Sequence, residues 1–348
     1  WPRDWSSDVC SSDLMNLNIA RQPLIPAFLT LTALAVFAMW RAASITAPLA
    51  PSITIPTAGA MAIPSPEELL TRLQERWPVW SSCLGALLMI FTGTSIGRLT
   101  VRYNLYGAGT CLAIPLFGSI TAALALGYNF LPVLTAATLL ALAFKNYSRS
   151  FRSGYSFDAL FRASLYLGML PLVAPSLLPM IALLPLAVIL FHRTLREAVV
   201  AVAGVLLPVF AFCYVNWGAG GSFAAPLHLA WEAFTQGSPL EAVRAIPTQA
   251  LITLGIILLL DLGALFCFLG DIYAVGTKPR AILILAFCLL VLFVPAALNP
   301  TSTTAVINLV AVPSAILLPF LLVRIHRIPA SILYLILIAA AVTNLLLQ

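Results

Sequence analysis

The chain reads as an all-α protein, a polytopic bundle of about eleven transmembrane helices, with ten or twelve as the neighbouring counts. Three observations predict this. Of its 348 residues 61% are hydrophobic and only 9% charged, where a soluble domain carries roughly a quarter charged residues. Ten or eleven apolar runs are long enough for a hydrocarbon core that takes about 20 helical residues. Lys and Arg collect in every second gap between those runs, the asymmetry that orients helices in a bilayer. A water-facing fold of this composition would expose apolar surface everywhere and aggregate.

The first fourteen residues, WPRDWSSDVCSSDL, depart from the pattern. They resemble a translated sequencing adapter, so residues 1–14 read as a non-native leader. Residues 15–348 then form one integral membrane domain beginning at Met15. Small-x-small cleavage spacing is lacking after Met15, so the first apolar run reads as a retained helix.

That run is Leu24 to Trp40, between Arg21 and Arg41. The stretch from Ser44 to Pro64 is too broken by proline to cross. Ser65-Pro66-Glu67-Glu68 is a helix start, with serine at the N-cap and proline at the first helical position. Leu69, Leu70, Leu73 and Trp77 share a face opposite Arg72, Glu75 and Arg76. Residues 66–77 should therefore form an amphipathic helix lying in the outer interface.

Val79 to Gly97, Gly109 to Leu126 and Asn129 to Phe144 are the next spans, the last two joined by a tight turn. A basic segment with Lys145, Arg149 and Arg152 follows, leading into Tyr155 to Arg162. Ala163 to Phe191 is about 44 Å of helix if continuous, too long for one crossing of a ~30 Å core. Both flanks are basic, so the segment crosses twice or not at all. Pro171, Pro175, Pro179 and Pro185 break it, and 158–191 reads as a short proline-broken hairpin, with a re-entrant loop as the alternative. Ala198 to Trp217, Gln249 to Gly270, Ala281 to Leu298, Thr303 to Val323 and Pro329 to Leu347 complete the set.

With the amino terminus inside, thirteen Lys and Arg fall in inner segments and four outside. This predicts a cytoplasmic N-terminus and a periplasmic C-terminus in a bacterial inner membrane. The net charge of +6 sits beside apolar spans, where it meets anionic headgroups. It does not point to nucleic acid.

Few residues carry chemistry. Asp261 is the only acid deep in an apolar run. At mid-membrane it costs about 2.5–3.5 kcal/mol, so it serves as a proton or ion anchor or is paired with a nearby hydroxyl or amide. Asp158 and Arg162 stand four apart at a helix start that Ser156 can cap. With Lys145, Arg149, Arg152, Arg193 and Arg196 they could hold a lipid or polyprenyl phosphate, or simply anchor topology. Glu67 and Glu68 could act as a carboxylate pair, although a helix start accounts for them. The histidines lack metal spacing and no phosphate-cradling glycine loop is present, so no metal or cofactor is expected. Cys83, Cys111, Cys213, Cys267 and Cys288 read as packing residues.

The stretches YSFDALFRASLYLGMLPLVAPSLLP (155–179) and FHRTLREAVVAVAGVLLPVF (191–210) resemble an uncharacterised family of polytopic bacterial inner-membrane proteins of about 300 residues. The rhythm is also similar to membrane glycosyltransferases of the GT-C class, which use lipid-phosphate sugar donors. That resemblance implies an essential acid in the first outer loop. Here that region holds Glu67, Glu68 and Glu75, without an Asp-x-Asp or Glu-x-Asp pattern. Three functions therefore stay open: a structural or accessory role in the envelope, with lipids or another membrane protein as partner, a GT-C-like lipid-linked transferase, and a small-molecule or proton-coupled transporter.

Overall fold

The structure, a computed structural model, describes residues 22–44, 61–124, 129–150, 155–235, 247–298 and 304–347. The leader 1–14, most of the Pro/Thr/Ala-rich stretch, Arg152 and Arg244 lie outside them. The chain is an all-α polytopic bundle. Its helices are α1 (Leu24–Ser44), α2 (Pro66–Arg76), α3 (Pro78–Arg102), α4 (Ala113–Ala123), α5 (Phe130–Ser150), α6 (Phe157–Val173), a 3-10 segment (Pro175–Ala182), α7 (Leu183–Leu190), α8 (Leu195–Gly218), α9 (Ala225–Thr235), α10 (Thr248–Gly270), α11 (Thr277–Ala297), α12 (Thr304–Asn308), α13 (Ala311–Arg324) and α14 (Arg327–Leu347).

Among the described residues, eight helical segments are long and apolar enough to cross a membrane. The eleven segments expected from the sequence are reached only by adding α4, α6 and the Pro175–Leu190 leg. The centre is α13 with α4. Every residue from Ala311 to Leu322 is buried, as is every residue of α4. A helix apolar on all sides belongs inside a bundle. At the periphery, α8 and α10 present wide apolar faces, with Val199, Leu206, Phe210, Leu259 and Phe266 exposed.

Helix directions follow from who meets whom. Thr92 and Thr138 share a hydrogen bond of 2.7 Å, and an added Cβ on Gly85 would meet Phe130, so α3 and α5 run parallel. Asp261 meets Ser314 and Asp271 meets Arg324, making α10 and α13 parallel. Gln22 meets Tyr334 while Arg41 reaches the Leu345 carbonyl, which makes α1 and α14 parallel. This alternation gathers Arg98, Arg102, Lys145, Arg149, Arg162, Arg193, Arg196, Lys278, Arg280, Arg324 and Arg327 at one end of the bundle, here the basic end. Arg41, Arg72 and Arg76 lie at the far end.

The proline-broken segment makes a full return. Ser156 meets Glu197 and Gly204 faces Phe161 and Ser164, so α6 and α8 are parallel and the chain between them travels back. The 17 residues of α6 span about 26 Å. The eight 3-10 residues and eight residues of α7 cover about 28 Å. Each leg nearly matches the ~30 Å of a hydrocarbon core. Backbones touch along this seam: a Cβ on Gly168 would collide with the Val205 carbonyl oxygen, the close approach that small residues permit between membrane helices.

Two expected spans differ in detail. The run beginning at Gly109 becomes helical only at Ala113, and α4 has 11 residues, about 16 Å. Its approach is irregular but enclosed, with Thr110, Cys111 and Leu112 buried. Such backbone is tolerated at membrane depth only inside protein. The Cys111 N–H donates to the Gln22 carbonyl, and the Leu112 N–H to the Thr110 hydroxyl. At the other end of α4 the orphan carbonyls of Thr121 and Ala123 accept from the amides of Asn308 (2.9 Å) and Asn344 (2.6 Å). A helix end buried inside a bundle needs such partners for its last carbonyls. The span expected from Thr303 is likewise split into α12 and α13, whose junction supplies Asn308.

Helix α2 starts as the sequence predicts, with the Ser65 hydroxyl accepting from the Glu68 N–H and Pro66 in the first turn. Most of its apolar face stays outside the protein: Leu69, Leu73 and Trp77 are exposed, the disposition of a helix lying in an interface, while Leu70 is partly buried against the core. It docks through its other edge. Buried Gln74 accepts from the Leu131 N–H at 3.1 Å, supplying a partner to an orphan donor at the start of α5.

Candidate functional site

The residues expected to form one phosphate patch separate into three groups. The first is a clamp at the basic end. A Thr194–Glu197 capping box starts α8, and Glu197 reaches further than its own helix. Its Oε1 accepts from the Ser156 N–H at 2.8 Å and the Ser156 hydroxyl at 3.3 Å, and its Oε2 from the Thr194 N–H at 3.1 Å. Arg193 stands 3.5 Å from Glu197, both side chains being under a tenth exposed, and its guanidinium donates to the Ser150 carbonyl. The clamp ties the end of α5 and the start of α6 to α8. Because the Ser156 hydroxyl is occupied here, it makes no cap to α6.

The second group is Asp158 and Arg162, paired at 2.8 Å on the open surface of α6 with side chains 76% and 60% exposed. Such a pair contributes about 0.3–0.5 kcal/mol. Arg196, next to Glu197 in sequence, is also exposed.

The third group is Lys145 and Arg149 on α5, which the fold brings to Arg98 and Arg102 on α3. Lys145 is half-buried and the three arginines are exposed, and all three charges act on Lys145. None of the four pairs with a carboxylate among the described residues. Arg98 and Arg102 look like ordinary loop anchors in the sequence. Only the parallel packing of α3 on α5 makes them neighbours of Lys145.

At the far end, Glu68 pairs with Arg72 at 2.5 Å in the open. Glu67, one residue away, is half-buried. Burial pushes its carboxyl up to about 7. A carboxyl there exchanges its proton near neutrality, as acid–base chemistry requires, and no basic group pairs with it among the described residues. The two glutamates therefore occupy different environments.

Asp261 is 1% exposed, roughly midway along α10. Its Oδ2 is 2.5 Å from the Ser314 hydroxyl of α13, while its Oδ1 is buried with no partner among the described residues. The larger polar joints of the interior were not legible in the sequence. No local pattern of charge or spacing singles out Glu197, Asn308, Asn344 or Gln74 as joints. A weak signal existed, since an amide within an apolar run requires a partner inside the bundle.

Among the described residues, no three His, Cys, Asp or Glu side chains converge as a metal would require. No family model, curated protein or solved structure matches this chain.

Proposed function

We propose that this chain is a structural or accessory multi-pass protein of the bacterial inner membrane, with a cytoplasmic N-terminus and a periplasmic C-terminus. One observation carries the role: interior polar side chains join helices. Asn308 and Asn344 end α4, Glu197 and Arg193 clamp α6 to α8, and Asp261 is bonded to Ser314. A small-molecule or proton-coupled transporter would line a wet path with Asp261, yet that side chain is 1% exposed. The crowding of Lys and Arg at one end supports the orientation. An impermeant maleimide tests it on single cysteines in a cysteine-free background. A cysteine beside Trp77 should label in sealed cells, and one beside Arg327 only after permeabilisation. The reverse pattern overturns the orientation. For the role, a membrane-protein partner should co-purify in mild detergent; a lone monomer that turns over a lipid-linked sugar overturns it.

A second reading is a GT-C-like transferase acting on a polyprenyl-phosphate sugar, favoured by half-buried Glu67 on the far side with its proton held to about 7. It expects Glu67→Gln to abolish turnover of such a donor while Glu68→Gln preserves it. Equal activity in both variants removes this reading.

A further inference from the structure

Thr92 and Thr138 set the register of α3 against α5. Arg98 and Arg102 lie six and ten residues beyond Thr92, and Lys145 and Arg149 lie seven and eleven beyond Thr138. At about 1.5 Å per residue the two i,i+4 pairs reach the same height. Like charges at this spacing repel along each helix, and here two such pairs also face one another across a helix joint. The C-terminal dipoles of α3 and α5 offset about half a charge each. Roughly three of four positive charges remain uncompensated, and no carboxylate of a described residue meets them. Two carboxylates at the same end of the bundle are engaged elsewhere, Glu197 with Ser156 and Thr194, and Asp158 with Arg162.

We propose that Arg98, Arg102, Lys145 and Arg149 form a binding site for the phosphate of an anionic membrane lipid. The height suits this ligand. Thr92 and Thr138 lie within the apolar layer, and about 10 Å further along the helices the cations reach the level of headgroups. Half-buried Lys145 draws the phosphate toward the joint, and the exposed arginines offer forked donors that match its oxygens. Basic pockets between membrane helices hold lipid headgroups in this manner. The proposal rests on the multi-pass reading but not on which leaflet contains the basic end, so the labelling experiment and the one below fail independently.

The test uses the full chain in nanodiscs of phosphatidylcholine doped with phosphatidylglycerol, with retained lipid counted by native mass spectrometry. The wild type should retain phosphatidylglycerol preferentially. Arg98→Gln/Lys145→Gln should weaken that retention about thirtyfold. The charge-matched control Lys278→Gln/Arg327→Gln, at the same end, should leave it nearly unchanged. Equal loss in both double variants, or none in the first, overturns the site in favour of diffuse attraction. Competition by millimolar inorganic phosphate overturns the lipid assignment, because a free anion then suffices. Should the first variant fail to fold, Arg98→Lys/Arg102→Lys keeps the charge but removes the forks. It should retain less lipid than wild type, and undiminished retention overturns the proposal.

Discussion

The Glu197 carboxylate accepts the Ser156 N–H at 2.8 Å across 41 residues of sequence, fastening the first turn of α8 to the start of α6. The chain leaves that point along α6, returns through the 3-10 segment and α7, and departs again along α8. Closing this excursion at its base holds the two parallel helices in register. Replacing Glu197 with alanine removes the acceptor of two backbone N–H groups and one partner of buried Arg193. We expect a loss of about 2–4 kcal/mol, read as a lower midpoint in detergent–SDS unfolding. Asp158→Ala, which breaks an exposed pair, should cost under about 0.5 kcal/mol.

The same seam predicts a steric result. Gly168 faces the Val205 carbonyl and Gly204 the Phe161 carbonyl, and backbone cannot move aside as a flexible side chain can. Gly168→Ala should separate α6 from α8 and cost about 2–3 kcal/mol. Gly218→Ala, where a Cβ meets nothing within 4 Å, should be neutral in the same SDS titration.

Asp261 and Ser314 form a joint whose halves depend on each other. Ser314→Ala leaves a buried carboxyl without its hydroxyl and should destabilise by about 1–3 kcal/mol. Asp261→Leu/Ser314→Ala replaces both polar groups by apolar ones, and stability should recover to near wild type. Failure to recover would show that Asp261 has a further partner.

Short α4 ends among buried residues of the bundle, so the amides that finish it should be measurable. Asn344→Leu removes the donor to the Ala123 carbonyl. It should cost about 1 kcal/mol, the scale of such bonds within bilayers. Hydrogen exchange should rise first in the last turn of α4.

Docking of α2 should depend on pH through Glu67. Its carboxyl is raised from an ordinary 4.5 to about 7 by burial, so the docked helix binds a proton that the freed helix releases between those values. Docking is therefore strongest below about pH 4.5, weakens as pH rises to about 7, and is level above that. Fluorescence of Trp77 and Trp80, at the junction of α2 and α3, should follow this curve. Glu67→Gln should flatten it.

Much of this architecture was legible in the linear order of residues. Apolar runs had to become helices, because a bilayer leaves backbone groups no other partner. The prolines of 158–191 and its two basic flanks implied a return, and Ser65-Pro66 marked the start of α2. These signals are local: composition, spacing and the sign of flanking charge suffice to express them. What needed the tertiary structure was every pairing between distant segments. Arg193, Arg149 and Arg162 look alike in sequence, yet one is buried in a clamp, one joins a cluster with Arg98, and one bonds its own helix. Likewise Glu67 and Glu68 are adjacent in sequence, but only Glu67 turns into the protein. Burial and partner choice arise from helix register and close approach at positions such as Gly168, quantities that no single segment contains.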